Sequence, residues 1–309
     1  MQKINIITYH YVRPIKKSKY PNLKGLEIKK FIKQIESLKN KYNFISYDDL
    51  KNNIKYKKKL VKKPLLLTFD DGYKDHIKYV YPELKKRKIQ GCFFPSVESA
   101  KYRKILDVNK IHFILNGAKN INLILDKIKY FLNNNYKLKQ KINLKNLEKN
   151  FVNKNRFDNK KTSFVKFLLQ KKLPEKIRKD CCTKLFKIFV SSNEKKFANN
   201  LYMTIKEIKF LKKNGMHIGA HGYDHLRLGD LNYKNQNEQI VKNMAFIKSV
   251  NGTINDWSIC YPHGSYNLNT LKILKKLKCL VGFTIQKGKA NLCNTEYLKL
   301  SRFDCNDFL

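Results

Sequence analysis

Acidic residues are scarce. The chain of 309 residues carries 24 Asp and Glu against 66 Lys and Arg, a formal charge of +42, so two adjacent carboxylates ask for a reason. Such an excess ordinarily points to nucleic acid or an anionic surface, because Lys and Arg neutralise phosphate and release counterions. Here the lysines are spread evenly among Asn and Ile, with no basic tail, zinc-knuckle spacing or RNA-binding aromatic signature. No dedicated nucleic-acid function is expected, only a weak pull toward anionic substrates or lipid headgroups. Long apolar runs are also missing. Nothing approaches the roughly 20 residues of a membrane span, and the opening "MQKINIITYHYVRP" has too short an apolar stretch for a signal peptide. The seven cysteines (Cys92, Cys181, Cys182, Cys260, Cys279, Cys293, Cys305) are an odd number without paired spacing. Reduced thiols and a cytoplasmic location are the expectation.

What is present is 42% hydrophobic residues, enough for one large core or two small ones. "INIITY" (4–9), "PLLLTF" (64–69) and "GCFFP" (91–95) read as strands, with a helix between the first two in which Phe31, Ile35 and Leu38 share a face. Residues 75–88 read as a helix interrupted or restarted at Pro82. Thr204 and Glu207 form a capping-box pattern, and Gly215 closes the helix they open, ahead of "HIGA" (217–220). "WSICY" (257–261), "TLKILKKLK" (270–278) and "VGFTI" (281–285) continue the alternation, which predicts a parallel α/β sheet or barrel. Residues 101–200 break the rhythm with helix-period segments and no convincing strand, and read as a helical insertion: a lid, an oligomer contact or a solvated decoration.

The chemistry concentrates in two stretches. In "LLLTFDDGYKDH" (65–76), Asp70 and Asp71 end a buried strand. An Asx turn capping the next helix would explain them without any function. In "HIGAHGYDH", however, His221 and His225 stand four apart after another buried strand, a spacing that suits a divalent metal. Two histidines and one carboxylate from the ends of parallel strands make an open metal site. The second carboxylate cannot easily reach the same ion, but it can take a proton from a water there.

With these residues in view, the chain resembles the polysaccharide deacetylase family, the NodB-homology carbohydrate esterases. Thr68 to Gly72 match that family's Thr-Phe-Asp-Asp-Gly motif, and His221 to His225 its His-x-x-x-His. "CYPHGSY" (260–266) is similar to its third motif, with His263 in place of a tyrosine. The resemblance covers about residues 1–100 and 200–309, and the ending "LKLSRFDCNDF" looks like members encoded for bacterial surface-glycan synthesis. It implies one domain over 1–309, a distorted (β/α) barrel interrupted at 101–200. It also implies a divalent ion, Zn²⁺ foremost, on Asp71, His221 and His225, with Asp70 as catalytic base and the backbone N–H of His263 in the oxyanion hole. The substrate would be an N-acylated amino sugar, most simply N-acetylated, in glycan-precursor synthesis. Another small amide, such as an N-formyl group, and a noncatalytic glycan- or nucleotide-binding barrel are the alternatives. The family's closing Leu-x-x-His, which supplies the acid for the leaving amine, has no counterpart, since no His follows His263. His10, at the end of the first strand, and His263 are the candidates for that role. Arg302 either orients Asp70 or pairs with Asp304. His76, His112 and His217 read as structural, and Trp257, Tyr261 and Tyr266 as strand packing or a sugar cleft.

Overall fold

The computed structural model describes residues 3–134, 142–153, 158–292 and 296–308, and Cys293 lies outside them. The chain divides into two compact units. Residues Met1–Pro14, Lys24–Lys104 and Ala198–Leu309 form one, and Ile15–Leu23 with Ile105–Phe197 the other.

The described residues of the first unit hold nine strands: β1 (Lys3–Tyr9), β2 (Asn43–Phe44), β3 (Pro64–Asp71), β4 (Gly91–Pro95), β5 (His217–Ile218), β6 (Ser258–Cys260), β7 (Val281–Phe283), β8 (Ala290–Asn291) and β9 (Phe303–Asp304). β1, β3, β4 and β5 pair parallel in the order β5-β4-β3-β1, β9 pairs parallel to β1, and β6 pairs parallel to β7. Two parallel single bridges join these arcs, Ala220 to Ile259 and Phe283 to Leu300. Across the first seam Ala220 N–H donates to the Ser258 carbonyl and Cys260 N–H to that of Ala220, both at 2.8 Å; across the second, Leu300 N–H donates to Gly282 at 2.8 Å. The path β1-β3-β4-β5-β6-β7-β9 thus returns to its start, a ring of parallel strands with two thin seams. Antiparallel β8 and two-residue β2 flank it.

Alternation along the strands sorts residues to the two faces of the ring. Ile4, Ile6, Leu66, Cys92, Phe94, Cys260, Phe283 and Leu300 belong to one buried cluster, the ring interior. Ile7, Tyr9, Leu65, Leu67, Phe69 and Phe93 face the other way, against Phe31, Ile35 and Leu38 of the helix Ile28–Lys41, Ile208 and Leu211 of Ile205–Lys213, and Leu274 of Leu268–Lys276. The Thr204–Glu207 capping box forms, with Gly215 at φ +83° behind the helix. The break expected at Pro82 is a π-helical turn over His76–Val80, in which the carbonyl of His76 accepts from Tyr81, followed by a new helix at Tyr81–Lys86.

The described residues of the second unit hold helices and no strand. Asn120 caps Ile121–Asn133 through its side chain. Tyr20, Phe113, Phe186 and Phe197 pack edge to face, with centroids 4.9–6.2 Å apart, in this unit's core.

Candidate active site

The inward face of the ring is apolar until its last layer. Continuing the alternation, Thr8 follows Ile6, Thr68 and Asp70 follow Leu66, and Arg302 follows Leu300, all buried. Asp70 is therefore a carboxylate at the top of a hydrophobic interior, where an unpaired charge is untenable. Arg302 meets it with a two-pronged ion pair, Nη1 to Oδ1 at 3.1 Å and Nη2 to Oδ2 at 2.8 Å. The guanidinium is held in turn by Thr68 Oγ1 at 3.0 Å and the Thr284 carbonyl at 2.8 Å. Oδ2 also accepts from Thr8 Oγ1 and Cys260 Sγ, both at 3.2 Å. Burial alone would raise the Asp70 pKa; Arg302, then His221, hold it well below the usual carboxylate range.

Beyond Asp70 the backbone leaves the strand. Asp71 at φ +69° and Gly72 at φ +71° are both left-handed. A Cβ on Gly72 would stand 2.7 Å from the Pro95 Cβ, so only glycine fits. This turn separates the two carboxylates. Asp71 Oδ1 lies 3.1 Å from His221 Nε2 and 3.2 Å from His225 Nε2, and the two imidazole nitrogens are 3.2 Å apart. Tyr73 donates its hydroxyl to Asp71 Oδ2. His221 donates Nδ1–H to the Cys260 carbonyl at 2.8 Å, which leaves Nε2 of the neutral ring with a lone pair. With Nε2 unprotonated on both rings, as metal ligation requires, three acceptors converge, an arrangement that one shared cation satisfies. The spacings are near the edge of about 3.3 Å expected of a tetrahedron with bonds of about 2.0–2.1 Å to zinc, so the donor set fits the ion that the resemblance implies. A second group of possible donors, Asp70, His221 and Cys260, also lies within 4.8 Å. There Arg302 already touches Asp70 and, at 2.9 Å, the Cys260 sulfur, and supplies the cation.

His263 also sits at positive φ, +55°. Its ring packs edge-on to that of His225 at 4.6 Å, and its backbone N–H makes no backbone hydrogen bond among the described residues. Burial, then His225 and Arg227, push the imidazole pKa well down. His10 is exposed and directly follows the pairing of Tyr9 with Phe69, which sets it across from Asp70. Arg302 pairs with Asp70, not with Asp304. His76 is buried against the His10 carbonyl, and half-buried His217 lies against Ser258 Oγ. Trp257 and Tyr261 donate to the carbonyls of Leu277 and Leu298 from within the core, so of the three proposed cleft aromatics these two are packing residues. Sequence reasoning missed Thr8, Tyr73 and Cys260. Thr8 shares the alternation of its strand, and Cys260 stands at the head of the third motif.

A family model described as polysaccharide deacetylase matches residues 57–110 and 186–281. Those stretches contain Asp70, Asp71, His221, His225 and His263 but neither His10 nor Arg302. No curated protein matches the chain. Among solved structures, the Streptococcus pyogenes deacetylase PplD in complex with acetate is 18% identical, with a TM-score of 0.60 over 98% of this chain and 92% of its own. IcaB from Ammonifex degensii is 16% identical, with a TM-score of 0.57 over 97% and 91%. A de-N-acetylase from Aggregatibacter actinomycetemcomitans is 16% identical, with a TM-score of 0.58 over 100% of both chains. At such identities these three share a fold with the chain. The matched stretches, with the motifs inside them, place the chain in the polysaccharide deacetylase family, among hydrolases of the deacetylase kind.

Proposed function

We propose that the protein is a metal-dependent amide hydrolase that removes an acyl group, acetyl in the first instance, from an N-acylated amino sugar of a glycan or its precursor. The observation that carries this is the convergence of Asp71 Oδ1, His221 Nε2 and His225 Nε2 beside a second carboxylate kept ionised by Arg302. A divalent ion on those three ligands, Zn²⁺ by the donor set, would polarise the amide carbonyl and bring the pKa of a water toward neutrality. Asp70 is the base. Its Oδ2 already accepts three donors and its Oδ1 only one, so Oδ1 keeps the lone pair that takes the proton. The His263 N–H donates to the developing oxyanion, a role that survives replacement of a tyrosine because it belongs to the backbone. His10 protonates the leaving nitrogen. Its exposure favours it over His263, whose burial opposes the charged form.

The chain is read as one deacetylase domain over residues 1–309, with a helical insertion at 101–200. The family model's two stretches leave out 111–185, within that segment. The six described cysteines are buried and unpaired, which supports a reducing, cytoplasmic site of action on a sugar precursor; native protein found outside the cell would reject that location. The activity is tested by amine release from N-acetylated and N-formylated amino sugars, before and after chelation. Release from the acetylated sugar, abolished by chelator and restored by Zn²⁺, is expected. Release only from the formylated compound would move the substrate class, and glycan binding without any release would leave a binding protein.

A further inference from the structure

The segment that carries His10 has left its strand and is no part of a helix; Leu26 bridges to Val12, accepting from Arg13 N–H and donating to the Tyr11 carbonyl, and each residue from 10 to 13 is also held from a second place. His76 Nε2–H donates to the His10 carbonyl at 2.9 Å. The Tyr11 ring stacks on Tyr73 with centroids 4.2 Å apart. Val12 N–H donates to Asp75 Oδ2 at 3.3 Å, and Arg13 grips both Asp75 oxygens, Nε to Oδ2 at 2.6 Å and Nη2 to Oδ1 at 2.7 Å. Residues 10–13 are thus fastened, residue by residue, to 73–76, which immediately follow Asp71 and Gly72 and lead into the π-helical turn.

His76 makes this arrangement costly. Its ring is fully buried, edge-on to Phe69 and Tyr73 with centroids 5.5 and 5.6 Å away. Donating from Nε2 leaves the lone pair on Nδ1, which is buried and has no partner among the described residues. A phenylalanine or leucine would fill such a site without an orphaned acceptor. Packing therefore does not account for a histidine here; the hydrogen bond to His10 does.

We propose that Asp75 and His76 are positioning residues for the leaving-group acid. They fix the backbone of His10–Arg13 against the Asp71 turn and so keep the His10 imidazole opposite Asp70. The proposal rests on the reading of His10 as the acid. It is tested with His76→Phe, His76→Gln and Asp75→Asn in the full chain, on an N-acetylglucosamine oligosaccharide and on an umbelliferyl acetate, whose leaving group needs little protonation. Expected is a loss of roughly 10²-fold on the amide, as for an acid displaced by about 1 Å, with the ester rate and metal content near those of the parent. His76→Gln, which keeps a donor, should recover part of the amide rate. Equal losses on the two substrates, the result of a merely structural role, would overturn the proposal, and Asp75→Asn decides if His76→Phe does not fold. His10→Ala separates the two levels. If it shows no selectivity for the amide, the assignment of the acid fails; if it does and the Asp75 and His76 variants do not, only the positioning role fails.

Discussion

On the proposed reading Asp70 is a buried carboxylate that accepts a proton, and it reconciles burial with ionisation through Arg302. Without the guanidinium the carboxylate would protonate or unfold its surroundings; with it, the anion persists in an apolar interior. Arg302→Met should cost about 3–5 kcal/mol, the usual penalty for stranding one partner of a buried pair. In whatever folds, the Asp70 pKa should rise, so the acid limb of the pH–rate profile should move to higher pH; an unmoved limb would mean that this limb is not Asp70. Asp70→Asn should behave differently, keeping bound metal while turnover falls by roughly 10²–10⁴-fold. His225→Ala should lose the metal itself. Metal analysis beside activity on the purified variants separates the two, and full metal in His225→Ala would remove the ligand set.

At the level of elements, the two carboxylates are turned to different partners, Asp70 to Arg302 and Asp71 to the two histidines, by left-handed backbone at Asp71 and Gly72. Gly72→Ala should destabilise the fold by about 1–3 kcal/mol for the left-handed backbone alone, with the Pro95 contact added. It should also weaken metal binding, read by competition with a chelator, because Asp71 cannot keep its orientation. The strands that are longest and most apolar were legible in the sequence: β3 and β4 stand close to where "PLLLTF" and "GCFFP" place them. β5, β6 and β7 lie inside "HIGA", "WSICY" and "VGFTI", whereas β8 and β9 were not read from alternation, because two-residue strands carry too little of it, and β9 owes its pairing to β1 alone. The helix Tyr47–Tyr56 went unnoticed although Ser46 and Asp49 form a capping box at its start. In the site, the Asp-Asp-Gly and His-x-x-x-His spacings were visible as sequence. The tie from Arg302 to Asp70 spans 232 residues and could be offered only beside a pair with Asp304. Cys260 was hidden for another reason: a thiol that donates to a carboxylate looks, in sequence, like any core cysteine.

Across the whole molecule, two imidazoles outside the proposed metal site, His76 and His217, weaken the fold as pH falls. Burial pushes His76 to about 4, and burial together with Lys212 and Lys51 pushes His217 to about 3. Both lie below the unfolded value of about 6.5, so the unfolded chain binds protons first as pH falls. Their contribution to stability should be intact above about pH 6.5 and decline toward pH 4, His76 alone accounting for a loss of up to about 3 kcal/mol. Thermal unfolding between pH 7 and 4 measures the decline, and imidazole resonances that titrate near the unfolded value in the native protein would contradict its cause. The ring has a mechanical consequence as well. β3 is stitched to β1 and to β4 by five residue pairs each, whereas the seams at Ala220–Ile259 and Phe283–Leu300 have one apiece. Asp70 and Asp71 ride on the stiff side, and His221, His225 and Arg302 on the compliant one. Whatever bridges Asp71 to the two histidines works as a hasp across a loosely sewn cylinder. Amide hydrogen exchange should therefore be slow throughout residues 64–71 and 91–95 whether or not metal is present. In 258–260 and 281–283 it should be fast in the metal-free protein and slow sharply once the ion is bound, so that the catalytic ion also sets the rigidity of half the ring.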